Sequence, residues 1–175
     1  QTAGFEIGES ALDYDASHSY GRALVVGLGN TLRVAVAGIV LATVLGTLIG
    51  IGRLSANFLV RALCAAYVEV FRNVPLLVQL FMWYFVVTAL LPPAGNALQP
   101  FAGVYLSQSG LQFPIPTGSL TDWLAHGLPI AIDWPQPAEF NIIGGGALTP
   151  EYITLLAGLT LYTAAFIAEI VRGGI

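Results

Sequence analysis

The chain has 175 residues, of which 56% are apolar and only 9% charged, against about 25% charged in an ordinary globular protein. Ten acids, six arginines and no lysine give a net charge of −4. That balance excludes a nucleic-acid binder, which needs a basic footprint, and the missing lysine excludes a phosphate-binding P-loop. The composition is that of a membrane protein.

Residues 1–22 are polar and acidic, with Glu6, Glu9, Asp13 and Asp15, and lack the basic start and apolar run of a signal peptide. Between Arg33 and Arg53 the 19 residues Val34 to Gly52 carry no charge, and ten of them are Val, Ile or Leu. At 1.5 Å rise each they reach roughly 28 Å, close to the hydrocarbon thickness of a bilayer. They predict a membrane helix near 27–52. Gly38, Gly46 and Gly50 place small residues along it, suited to a dimer seam or to ordinary close packing of membrane helices.

The run from Tyr67 to Phe81, YVEVFRNVPLLVQLF, is the most informative stretch. Glu69 and Arg72 are three apart, so on a helix they share a face and can pair. Pro75 interrupts that helix and predicts an elbow feeding a second membrane helix near 73–91, which stops at Pro92-Pro93. Gln79 is the one strongly polar side chain inside this span, placed to contact another helix or to line a path.

Nine of the ten prolines fall between Pro92 and Pro150, together with Gly144-Gly145-Gly146. Such backbone is not tolerated facing lipid, and pieces such as Ile130-Ala131-Ile132 are too short to cross, so 92–148 reads as a long extramembrane loop. A third apolar run follows, between Glu151 and Glu169 and extended by Ile170 and Val171. Thr149-Pro150-Glu151 has the marks of a helix start, which predicts a helix over 149–171. Three arginines (Arg53, Arg61, Arg72) face one acid in 53–72, whereas 92–148 has no arginine and three acids, Asp122, Asp133 and Glu139. By the positive-inside rule 53–72 and Arg172 are cytoplasmic, and 1–22 and 92–148 are outside.

Chemistry has little to work with. Cys64 is the only cysteine, and His18 and His126 lack a second ligand at metal spacing. No nucleophile–base set and no cofactor motif are present, so the expectation is a protein that is not an enzyme and carries neither cofactor nor metal.

Taken together, GLGNTLRV (27–34), LGTLIGIGRLS (45–55), the 67–81 run and YTAAFIAEIVRGGI (162–175) resemble the permease subunits of bacterial polar amino-acid ABC importers, in particular the general L-amino acid branch. The resemblance covers roughly 20–92 and 139–175. It implies an all-α integral membrane fold: a partial type-1 ABC transmembrane domain over 23–175, with about three membrane helices and a long external loop. It implies transport of amino acids across the inner membrane, with ATP hydrolysis on a separate ABC ATPase chain. The other partners implied are a second permease subunit, identical or different, an extracytoplasmic amino-acid-binding protein and membrane lipid. Glu69, Arg72 and Pro75 fall in the elbow motif, and Glu169, Arg172 and Gly173 lead toward the segment that contacts the ATPase. The resemblance also implies that the chain is a fragment of a longer permease. Two other readings remain at this stage: a non-transporting membrane scaffold that uses the Gly46–Gly50 seam, and a secondary transporter, against which the lack of carboxylates within the first two spans counts.

Overall fold

The structure, a computed structural model, describes residues 2–8, 12, 14–117, 131–138 and 141–174. Glu9, Asp13, Asp122, His126, Ile130, Glu139 and Ile175, all used in the sequence reading, lie outside the described residues. The chain divides into two compact units, residues 1–83 with 154–175, and residues 84–153.

The first unit is helical. Helix α1 spans Tyr20–Gly52, beginning earlier than the apolar run alone predicts because Ser19 caps it, its side chain accepting from the Arg22 amide. Ahead of that cap, the Ser17 hydroxyl and amide both donate to Asp15 and hold its carboxyl below the usual range. Along α1 the buried residues Val34, Gly38, Ala42, Gly46 and Gly50 recur every fourth position. Leu24, Leu28, Leu32, Val36, Val40, Val44 and Leu48 lie exposed on another face. An open apolar face of this length suits lipid, not water.

Helix α2 spans Phe58–Asn73 and α3 spans Leu76–Phe85, continued by a π-helical turn over Val86–Leu90. Helix α4 spans Pro150–Gly174; Thr149 Oγ1 accepts from the Tyr152 amide and Pro150 occupies the first turn, as the sequence predicts. By length and apolarity α1 and α4 are each long enough to cross a membrane, and α2 with α3 and its π-helical continuation form a pair bent by 105°, the geometry of a broken span or a re-entrant turn.

The glycine seam packs within the chain. A Cβ on Gly46 would meet Ile167 Cβ at 2.7 Å and the Ala164 carbonyl at 2.8 Å, and one on Gly50 would meet Val171 at 2.8 Å. On the facing helix Ala164, Ala165 and Ala168 are fully buried. Since burying apolar surface yields nothing between helices in lipid, close approach through small residues supplies the contact.

The second unit corrects the expectation of an all-α chain with a loop over 92–148, for the described residues of this stretch form eight short strands after a single 3-10 turn at Ala94–Asn96. Strands β1 (Leu98–Phe101), β2 (Val104–Ser107), β3 (Gly110–Phe113) and β8 (Gly146–Leu148) form an antiparallel sheet in the order β1-β2-β3-β8. β4 (Ile115–Thr117) pairs with β5 (Ala131–Asp133), and β6 (Gln136–Pro137) with β7 (Ile142–Ile143). Prolines and glycines every few residues forbid a long helix, yet strands this short fit between them and satisfy their backbone by pairing. Gly103 turns the first hairpin at φ +77° with the Trp134 ring against it, so a side chain there would meet both strain and a clash.

The contact geometry separates two glycines of α1. Gly46→Val forces the α1–α4 seam apart and is expected to destabilise by roughly 1–3 kcal/mol. Gly27→Ala, with open space around its Cβ, is expected to be neutral or stabilising by up to about 1 kcal/mol. Unfolding of the two variants in detergent micelles measures both.

Candidate functional site

Three helices end with a basic residue close by. Arg53 is the C-cap of α1, Arg72 lies in the last turn of α2 and Arg172 in the last turn of α4. A helix C-terminus carries partial negative charge from its unpaired carbonyls, so each guanidinium is stabilised where it sits. Glu169 gathers all three. Arg53 Nη1 donates to its Oε2, Arg72 Nη1 lies 3.6 Å from the same oxygen, and Arg172 donates to Oε1 from Nη2 at 2.5 Å and from Nε at 3.2 Å. The side chain of Arg53 is the most enclosed of the three, 16% exposed against 43% for Arg72 and 46% for Arg172.

The cluster borders an open cleft of about 470 Å³, lined among others by Arg53, Glu69, Arg72, Asn73, Phe166 and Glu169. Arg72 also lies over the Phe166 ring, 5.4 Å from its centroid. The sequence places Glu69 and Arg72 on one face, and both line this cleft. The ion pair, however, is made with Glu169, and Glu69 has none among the described residues. Glu69 is exposed, where a pair is screened and worth little, whereas Glu169 is partly enclosed and already fixed by Arg53.

The elbow is built from its own backbone. Val74 adopts φ −94°, ψ 124°, the extended conformation a residue before proline prefers, and α2 stops there. Gln79, one turn into α3 and only 3% exposed, turns its amide back: Nε2 donates to the carbonyls of Phe71 at 2.9 Å and Val74 at 2.8 Å. These belong to the last turn of α2, whose carbonyls the break leaves open. Gln79 thus spends its donors on the end of α2, across the elbow. Tyr67 hydroxyl donates to the Leu161 carbonyl at 2.7 Å and ties α2 to α4.

Of the residues expected to matter, Arg72, Glu169 and Arg172 meet in the cluster, Pro75 and Gln79 make the elbow, and Gly46 and Gly50 make the seam. Gly173 has open space around it. Arg53 is the residue that sequence reasoning used only for orientation. Its signal was its place directly after Gly52 at the end of an apolar run, where a helix C-terminus attracts a cation.

Over 99% of its length the chain is 41% identical to the general L-amino acid transport system permease protein AapQ of Rhizobium johnstonii, covering 56% of that protein. It is 39% identical, with the same coverage, to YhdX of Escherichia coli, which carries an amino-acid ABC transporter permease name. It is homologous to amino-acid ABC transporter permeases. A third such relative is the glutamate/glutamine/aspartate/asparagine transport system permease protein BztB of Rhodobacter capsulatus, 32% identical over 99% of the chain and 59% of that protein. The chain therefore spans rather more than half the length of these curated permeases. No family model and no solved structure matches it.

Two substitutions test this construction. Gln79→Leu removes the side-chain donors from the Phe71 and Val74 carbonyls and is expected to lower stability by about 1–2 kcal/mol, read by denaturation in detergent. Glu169→Gln is expected to lower the melting temperature clearly, because it leaves three guanidiniums around a neutral group, while Glu69→Gln leaves it within error.

Proposed function

We propose that this chain forms part of the membrane-spanning permease of an ATP-driven importer that carries amino acids across the bacterial inner membrane. The observation that carries the reading is the 41% identity to a general L-amino acid permease along 99% of the chain. Its physics agrees: α1 offers an apolar face to lipid, and the seam a scaffold would offer to a partner is occupied by α4. The permease itself is not an enzyme. ATP is hydrolysed on a separate ABC ATPase, a second permease subunit completes the path, and an extracytoplasmic binding protein delivers the amino acid.

In this reading residues 23–175 belong to the type-1 transmembrane domain, and the arginine cluster lies at the cytoplasmic membrane surface with 53–72. The arginine-free segment 92–148 lies outside with residues 1–22 and offers a surface to the binding protein. Glu169, Arg172 and Gly173 lead toward the contact with the ATPase. The charge asymmetry between 53–72 and 92–148 supports this orientation.

The test is uptake of labelled amino acids by cells expressing the complete permease with its partner subunits. Uptake is expected to survive collapse of the proton gradient while ATP is maintained and to stop when ATP is depleted; the reverse overturns the proposal. Pro75→Ala is expected to reduce uptake several-fold through a straightened elbow. In a Cys64→Ser background, a membrane-impermeant thiol reagent is expected to label Asn96→Cys in intact cells and Leu63→Cys only after permeabilisation.

A further inference from the structure

Arg72 stands between two carboxylates. Glu169 on α4 holds it at 3.6 Å, and Glu69, one turn earlier on α2 itself, lines the same cleft with no ion pair. The contact with Glu169 is the loosest of the three made there, well beyond the ~2.7–2.9 Å of a charge-assisted hydrogen bond. Glu169 does not depend on it, since Arg53 occupies Oε2 and Arg172 occupies Oε1 through two donors. Residues three apart on a helix are in reach of one another, and the open cleft gives the Arg72 side chain room to turn. The groups that face Arg72 are thus Glu169 and Phe166 from α4, Arg53 from the end of α1, and Glu69 and Asn73 from its own helix.

We propose that Arg72 is a two-position switch: bound to Glu169 it bridges α2 to α4, and bound to Glu69 it frees the C-terminal end of α2, with the elbow, to move away from α4. In both positions Arg72 has a carboxylate and Glu169 keeps two arginines, and the carboxylate left over in the first is Glu69, which is exposed to solvent. Exchanging one partner for another costs far less than breaking an enclosed pair. The Tyr67–Leu161 hydrogen bond, more than a turn further back on α2, marks where the two helices stay joined. The switch deepens the transport reading and rests on it only for the purpose of the swing, which would alternate with the import cycle.

The test measures the distance between spin labels at Val70→Cys on α2 and Ile170→Cys on α4, both exposed positions, in a Cys64→Ser background. The sample is the complete importer in lipid nanodiscs. The parent is expected to show a shorter and a longer population. Glu69→Gln is expected to deplete the longer one, and Arg72→Gln the shorter one, each by about threefold. A distribution that Glu69→Gln leaves unchanged overturns the switch, and because Glu69 is exposed and outside the cluster, that variant is expected to fold even if Arg72→Gln does not. An importer that moves no amino acid overturns the transport reading separately, while the label distances still decide the switch.

Discussion

Helices α1, α2 and α4 bring an arginine each to one carboxylate, and Glu169 is what makes that meeting attractive. Each arginine alone is well placed beside the negative end of its helix. Together, three guanidiniums within reach of one point would repel, and the three helix ends would splay. A single carboxylate with two oxygens converts the repulsion into a cross-link between segments distant in sequence, Arg53 and Glu169 being 116 positions apart. That tie joins the end of α2, just ahead of its elbow, to α1 and α4.

The other devices of the helical unit answer the conditions of a bilayer. With no water to take up open carbonyls, a break in a membrane helix has to be satisfied from within the protein. Gln79 does this at the Val74–Pro75 break with the two hydrogens of one amide. With lipid as apolar as any leucine, helices gain little by hiding apolar side chains from it. The Gly46–Gly50 seam therefore brings backbone close to backbone, against fully buried alanines of α4. The seam runs along α1 and α4 up to the ion cluster, where Gly50 meets Val171 and Ala168 on either side of Glu169, and the elbow follows directly on the end of α2.

The helices were legible because their signals are local. The charge-free run after Arg33 and the Thr149-Pro150-Glu151 start gave α1 and α4, and the YVEVFRNVP run gave the elbow. The partners of the charges were not legible. Glu69 and Arg72 have the right spacing to pair, but spacing says nothing of a stronger carboxylate brought in from α4 by folding. Gln79 was open for the same reason, its partners being carbonyls exposed only once the helix breaks. Between 92 and 148 the prolines and glycines argued against one long helix, yet they concealed, among the described residues, strands of two to four residues. The Phe101–Val104 and Ser107–Gly110 turns, each a glycine-bearing tetrad between apolar runs, were the hairpin signals present in the sequence.

The stem from which the strands emerge has a consequence for how such a chain varies. The Tyr84 hydroxyl, near the end of α3, and the Glu151 carboxylate, in the first turn of α4, lie 3.4 Å apart, so the chain departs and returns at nearly one place. Closing a loop on fixed ends costs only about 0.6 kcal/mol more for each doubling of its length. Residues added or removed there leave the ends of α3 and α4 where they are. The alignment with the Rhizobium permease extends over 223 positions although this chain has 175 residues, so that relative carries material within the matched stretch that this chain lacks. A closed stem of this kind lets the intervening segment be rebuilt from one lineage to the next while the two helix ends that flank it stay together.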